Sequence, residues 1–232
     1  MPQDNNKTVQ TLPNEADRQK AELLYSNYQD ILEMQQLYNA AIKQIRTKIE
    51  ILNDEFKIHF SRNPIHHIES RLKSATSILK KLKDRGYEVS VSSARKNLND
   101  IAGVRIVCSY IDDVYAVAEM LLRQSDIRLV KEQDYIKQPN YNGYRSLHLD
   151  IEVPVYLSER TEYVRAEIQI RSVAMDFWAS LEHDLRYKTN KNIPESICKN
   201  MVESAEQIAA IDRKMQILYN EIRLLDDEKT QL

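Results

Sequence analysis

Hydrophobic positions at both ends of the chain recur in alternating steps of four and three. From Leu24 the series runs through Tyr28, Ile31, Tyr38, Ile42, Ile45, Ile49 and Leu52, with Gln35 as its one polar member. This spacing predicts a long amphipathic helix of coiled-coil type. Near the C-terminus the rhythm returns in Ile197, Met201, Ile208, Ile211, Met215, Leu218, Ile222 and Leu225, with Ser204 at one step. Two such helices need cover, from each other or from another subunit. A third helical series takes in Ile65, Ile68, Leu72, Ala75, Leu79 and Leu82, and predicts a helix over 65–84 that Gly86 ends.

Between Ile101 and Arg171 the period changes. IAGVRIVCSY reads as a buried strand built on Val104, Ile106 and Val107. VYAVAEMLLRQ reads as a helix capped by Asp112 or Asp113, and IRLVKE as a short strand. RSLHLDIEV and EYVRAEIQIR alternate cleanly, as half-buried strands do. A further helix begins at Ser172 and carries Met175, Trp178 and Leu185. Strands mixed with helices predict an α/β (α+β) fold, a mixed sheet flanked by helices with long helices at either end. The chain divides into a polar, flexible N-terminus over 1–20, a helical extension over 21–62, a central domain over 63–190 and a C-terminal helical extension over 191–232 that assembles subunits.

Composition narrows the class without naming a partner. With 42% hydrophobic and 29% charged residues the chain is globular, and a net charge of −2 leaves any argument about phosphates to local charge. No stretch approaches the roughly 20 apolar residues that span a bilayer. The opening MPQDNNKTVQ lacks the apolar core of a signal peptide, so the expected setting is cytoplasmic, with no membrane. Cys108 and Cys198 form neither a disulfide framework nor a metal-binding spacing, and Cys108 reads as a small buried hydrophobe. The three glycines, Gly86, Gly103 and Gly143, all fall where the middle of the chain must turn or approach something closely.

Candidate chemistry gathers in that middle. A strand sends alternate side chains to opposite faces. Over Glu162 to Arg171, Val164, Ala166, Ile168 and Ile170 face the core, and Arg165, Glu167, Gln169 and Arg171 face away. The neighbouring strand likewise turns out Ser146, His148, Asp150 and Glu152. Two adjacent polar faces rich in titratable groups point to a cleft. Opposite charge comes from Arg71, Lys73, Lys80, Lys81, Lys83 and Arg85, interleaved with Ser74, Thr76 and Ser77; hydroxyls beside cations suit phosphate oxygens. Acids beside a phosphate surface repel the ligand unless a divalent cation stands between, so Asp100 and Glu167 are candidate Mg²⁺ ligands. Pro139, Asn140, Asn142 and Gly143 make a turn flanked by Tyr141 and Tyr144, either of which could offer a ring face to a base.

Four ordered segments then carry a resemblance. RLKSATSILKKL, NDIAGVRIVCSY, DYIKQPNYNGYRSLH and AEIQIRSVAMDFWASLEHDLRYK resemble the motifs of RelA/SpoT-type synthetase domains, and the short length and helical ends resemble stand-alone small alarmone synthetases. The resemblance implies a nucleotidyltransferase-like mixed sheet over 63–190. It implies a GTP/GDP pyrophosphokinase that moves pyrophosphate from ATP to the 3′-hydroxyl of GDP or GTP, giving (p)ppGpp and AMP. By the same likeness Arg71 and Arg105 hold adenine, and Lys73, Ser77 and Lys81 meet the ATP phosphates. Asp100 and Glu167 serve Mg²⁺ and catalysis, and Tyr144 stacks on guanine with His148 and Gln169 nearby. The family carries a lysine after the loop proline, where this chain has Asn140; Lys137 or Arg145 would have to reach the acceptor phosphates instead. A homotetramer is also implied, and RNA as a regulator is a further expectation.

Two rivals are weighed against this reading. Asp150 and Glu152 give the paired carboxylates of an enzyme transferring a nucleoside monophosphate, but no Gly-Ser turn precedes them. A non-catalytic binder of nucleotides or RNA would use the Arg71–Arg85 patch, with strong salt dependence. His183-Asp184 is a lone dipeptide without a second cluster and does not suggest a hydrolase.

Overall fold

The alternating segments pair into a five-stranded sheet in a computed structural model that describes residues 15–59, 62–188 and 193–230. The strands are β1 (Ile65–Leu72), β2 (Ala102–Cys108), β3 (Arg128–Asp134), β4 (Leu147–Tyr156) and β5 (Thr161–Ser172), in spatial order β1-β2-β5-β4-β3. β2 and β5 run parallel; the other neighbours are antiparallel. The helices are α1 (Glu15–His59), α2 (Ala75–Asp84), α3 (Val91–Asn97), α4 (Ile111–Leu122), α5 (Val173–Lys188) and α6 (Glu195–Thr230). The predicted mixed α/β architecture is what the chain adopts. The N-terminal residues 1–14, including the MPQDNNKTVQ stretch, lie outside the described residues, and α1 runs from Glu15.

One face of the sheet is apolar. Val104 and Ile106 of β2, Leu149 and Ile151 of β4, and Ile168 and Ile170 of β5 are all buried to 1% exposure or less. They pack with Tyr38, Ile42, Ile45 and Ile49 of α1 and with Val114, Val117 and Leu121 of α4. The N-terminal stripe read from the sequence is therefore the buried face of α1 from Met34 onward, while Tyr28 is exposed. Burial pushes the Cys108 thiol up, as befits an inert packing residue.

Four local expectations need correction. The helix expected over 65–84 is β1 followed by α2, with only Ile78 and Leu82 buried on α2 and Leu79 exposed. A register shift between Ile65 and His67 is the reason. The extra residue lets Ile65 and Ile68 both turn toward the core, a three-residue spacing that imitates a helix. The C-terminal stripe holds only at its start: Met201 is buried as expected, but Ile211, Met215, Leu218, Ile222 and Leu225 are exposed, and α6 otherwise buries Ala205, Ala209, Asp212 and Gln216. That face meets polar backbone and hydroxyl groups, with Gln216 accepting from the Asp112 amide at 3.0 Å and Asp212 accepting from Ser172 at 2.5 Å. A polar stripe fits there better than an apolar one. At the start of α4 the N-cap is Tyr110, and Asp113 reaches back from the third position to accept from its amide at 3.1 Å. Finally, Leu185 of α5 is exposed, whereas Met175 and Trp178 are buried as expected.

Candidate functional site

Register fixes the open face of the sheet. Arg71 of β1 lies beside Gly103 of β2, which lies beside Glu167 of β5, which lies beside Asp150 of β4. One pleat along, the row reads Glu69, Arg105, Gln169 and His148. The β1, β2 and β5 members of these rows line a cleft of about 100 Å³ whose walls include Glu69, Arg71, Asp100, Arg105, Glu167 and Gln169. Gly103 keeps its floor low, because a side chain there would stand between Arg71 and Glu167.

At one end of the cleft, α2 begins. Ser74 caps it, its hydroxyl accepting from the Ser77 amide at 3.3 Å and donating to the Ser77 hydroxyl at 2.9 Å. One turn later Lys81 points at Asp100, 2.6 Å away, and Lys73 contacts the same carboxylate oxygen. Burial works to raise the Asp100 pKa, but the two ammonium groups outweigh it and hold the carboxyl below its ordinary range. Its other oxygen, Oδ1, is buried and has no hydrogen-bond partner. A buried carboxylate oxygen left bare beside a second carboxylate, Glu167, fits a hard divalent cation. Among the described residues no group of three or more His, Cys, Asp or Glu could hold a metal, so such a cation would draw its remaining ligands from phosphate and water.

The other end is a chain of side-chain hydrogen bonds. Burial pushes the Glu167 pKa up, but His148 Nδ1 at 3.3 Å and the Gln169 amide at 2.7 Å more than offset it, and the carboxyl stays below its usual range. His148 Nε2 meets the Tyr144 hydroxyl at 2.8 Å. That hydroxyl accepts from Arg171 at 2.6 Å, and Arg171 also donates to Gln169 at 3.1 Å and to Asp176 at 3.2 Å. Tyr135 stands edge-on to both Tyr144 and His148, at centroid distances of 5.9 and 5.1 Å. Arg105, across the cleft from Arg71, pairs with Glu69 at 3.2 Å and lies 3.7 Å from Asp176. Burial and the nearby Arg171 charge lower its pKa.

The structure thus brings Arg71, Lys73, Lys81, Asp100, Arg105, Tyr144, His148, Glu167 and Gln169 to one surface, with Ser77 on the first turn of α2. The two residues offered in place of the missing loop lysine are engaged elsewhere. Lys137 pairs with Asp134 at 3.2 Å and lies over the Tyr115 ring, and Arg145 pairs with Glu206 of α6 at 2.8 Å. Of the rival's paired carboxylates, Asp150 is buried and accepts from Asn99 at 2.8 Å, while Glu152 is paired to Arg128. Sequence reading passed over Asp176 and did not assign Arg171 a role. Arg171 could have been found from its place on the polar side of the β5 alternation; Asp176 carries no such signal, because its role depends on how α5 leaves the strand.

Comparison with known proteins shows the family and the fold. The family described as "Region found in RelA / SpoT proteins" matches residues 70–192. GTP pyrophosphokinase YwaC of Bacillus subtilis (strain 168) is 46% identical over 186 residues, which cover 80% of this chain and 89% of that one. GTP pyrophosphokinase YjbM of the same strain is 32% identical over 186 residues, 80% of this chain and 87% of its own length. Among solved structures, small alarmone synthetase 1 from Bacillus subtilis bound to its product pppGpp aligns with a TM-score of 0.75 and 32% identity, covering 80% of this chain and 94% of that chain. Small alarmone synthetase 2 of that organism aligns with a TM-score of 0.72 and 46% identity, covering 80% of this chain and 96% of the other. The chain belongs to the RelA/SpoT family and is built like its small alarmone synthetases.

Proposed function

We propose that this chain is a GTP pyrophosphokinase, transferring the β,γ-pyrophosphate of ATP to the ribose 3′-hydroxyl of GDP or GTP and releasing AMP. The observation that carries the reading is the meeting, on one sheet face, of a cationic phosphate end and a hydrogen-bonded carboxylate end. Lys73, Lys81 and Ser77 are placed for the ATP phosphates, and the guanidinium groups of Arg71 and Arg105 for the two faces of adenine. Tyr144 offers a ring to guanine, supported behind by Arg171 and His148.

Glu167, ionised at neutral pH, takes the proton of the attacking 3′-hydroxyl. The new bond forms between that oxygen and the β-phosphorus as the bond from the β-phosphorus to the oxygen shared with the α-phosphorus breaks, and AMP leaves with the electron pair. Lys73 and Lys81 stabilise the charge on the phosphoryl oxygens. Asp100 and Glu167 would hold Mg²⁺, which when bound neutralises polyphosphate charge and orients it. Proton acceptance and metal ligation would compete for Glu167, whose two oxygens meet His148 and Gln169.

The family domain over 63–190 carries this site; α1 packs its apolar stripe onto the sheet, and the C-terminal helical extension serves assembly. Exposed Ile211, Met215, Leu218 and Ile222 give α6 a stripe that a second copy would cover, in a tetramer of the kind the family resemblance implies. No described helix is long and apolar enough to cross a membrane. The cytoplasm, where ATP and guanine nucleotides are abundant, is the proposed site of action.

The test is to mix purified protein with ATP, Mg²⁺ and GDP or GTP, then separate nucleotides by ion exchange. AMP formed in step with a more highly phosphorylated guanosine is the expected result. Release of free pyrophosphate would mean nucleoside monophosphate transfer. No turnover by folded protein would leave a regulatory binder of nucleotides or RNA. A monomer mass in light scattering would remove the assembly proposal.

A further inference from the structure

Along β1 the side chains that face the cleft follow one another as Glu69 and Arg71, and Lys73 continues the line just beyond the strand. A strand advances about 3.3 Å per residue, so Glu69 lies roughly 13 Å along the chain from Lys73. On the reading that anchors phosphates at Lys73 and Lys81 and a base between Arg71 and Arg105, the purine edge remote from the ribose would be directed toward Glu69. Glu69 is oriented there from two sides, with Arg105 Nη1 3.2 Å from Oε2 and His67 Nε2 3.6 Å from Oε1. The rest of its carboxylate is open to the cleft, the side chain being 56% exposed.

We propose that Glu69 determines donor specificity by reading the 6-position of the purine. An ionised carboxylate only accepts hydrogen bonds. It takes one from the 6-amino group of adenine and repels the 6-oxo group of guanine or hypoxanthine. The rejection matters here more than in most nucleotide sites, because the acceptor is itself a guanine nucleotide and must be kept out of the donor end. Arg71 and Arg105 stack on either purine alike, so without Glu69 the donor end selects for a flat base and phosphates alone. The inference rests on the reading of this end as the ATP site.

The test uses the full chain and two simple probes, AMP and IMP, which differ at the 6-position. Their dissociation constants are measured calorimetrically for wild type and for Glu69→Gln, whose amide can donate to a 6-oxo group. The expected result is a wild-type preference for AMP that falls about tenfold or more in the variant, the scale of one charge-assisted hydrogen bond. In turnover, ATP against ITP as donor should show the same loss of preference, mainly through KM. If Glu69 only held Arg105 in place, both nucleotides would weaken together, and a ratio that moves less than this overturns the proposal. Wild-type protein that binds no AMP overturns it together with the assignment of the donor end. Wild-type protein that makes AMP and (p)ppGpp while the variant keeps its preference overturns the specificity role alone.

Discussion

On the Lys73–Asp100 side of the cleft two ammonium groups converge on one carboxylate and leave its second oxygen bare. On the Tyr144–Arg171 side a continuous run of hydrogen bonds links Asp176, Arg171, Tyr144, His148 and Glu167, with Arg171 donating both to Asp176 and to Tyr144. The first arrangement is a concentration of charge whose best partners, phosphate and a divalent cation, come from outside. The second has settled its own geometry before any ligand arrives, which reduces what binding must immobilise. A charged polyphosphate finds its place through strong, long-ranged attraction; a base and ribose with less charge need a surface already shaped.

The difference can be broken most severely where the two sides meet. Glu167→Gln keeps the shape and removes the proton acceptor, and product formation should fall about 10²- to 10⁴-fold with an unchanged circular dichroism spectrum. Near-wild-type turnover would dismiss the role. The pH profile sharpens the point. Because the folded Glu167 pKa is depressed, its acid limb should lie below the usual glutamate value of 4.5. His148→Ala deletes the largest lowering influence and should move that limb upward.

The next effect separates the sides by substrate. Tyr144→Ala should raise the acceptor KM by on the order of 5- to 150-fold, corresponding to ~1–3 kcal/mol of base stacking, and leave the ATP KM nearly unchanged. Tyr144→Phe, which keeps the ring and loses only the hydroxyl bonds, should cost less. Lys81→Ala should do the converse, weakening ATP by about tenfold while sparing the acceptor. If both KM values rise together in either variant, the two ends are one cooperative unit and the contrast drawn above fails.

The smallest expected effect is on stability. Asp212 is buried, and desolvation raises its pKa despite the Ser172 hydroxyl bond and the nearby Arg213 charge. A carboxyl whose folded pKa exceeds its unfolded one supports the fold while protonated, and loses that contribution as pH rises past the ordinary carboxylate range. Asp212→Asn should therefore raise the melting temperature slightly at pH 8 and less at pH 4, read by differential scanning calorimetry.

Strands β4 and β5 were legible in the sequence because each alternates an apolar face with a largely polar one, and alternation survives whatever the neighbours do; β2 was legible as a short apolar run, with Val107 buried opposite Val104 and Ile106. β1 was not, since its bulge put Ile65 and Ile68 at a helical interval. α6 misled for another reason. Its most hydrophobic stripe faces outward, and its packed face carries Asp212 and Gln216, chosen by groups on distant segments that no local window contains. The site divides in the same way. Lys73, Lys81, Asp100 and Glu167 stand in recognisable segments, whereas the link from Asp176 through Arg171 to Tyr144 exists only once α5 has turned back over the end of β5.

Gly143 has a positive φ of 86°, and a Cβ added there would lie 2.5 Å from the Cβ of Ala205 on α6. The tip of the loop over 139–144 is thus seated on the C-terminal helix with no room for even a methyl group, and Arg145 is tied to Glu206 beside it. The stiffness of the loop is a loan from a helix that is not among the described residues lining the cleft: the freedom that Asn140 to Tyr144 would otherwise surrender to each incoming nucleotide is given up once, when the chain folds.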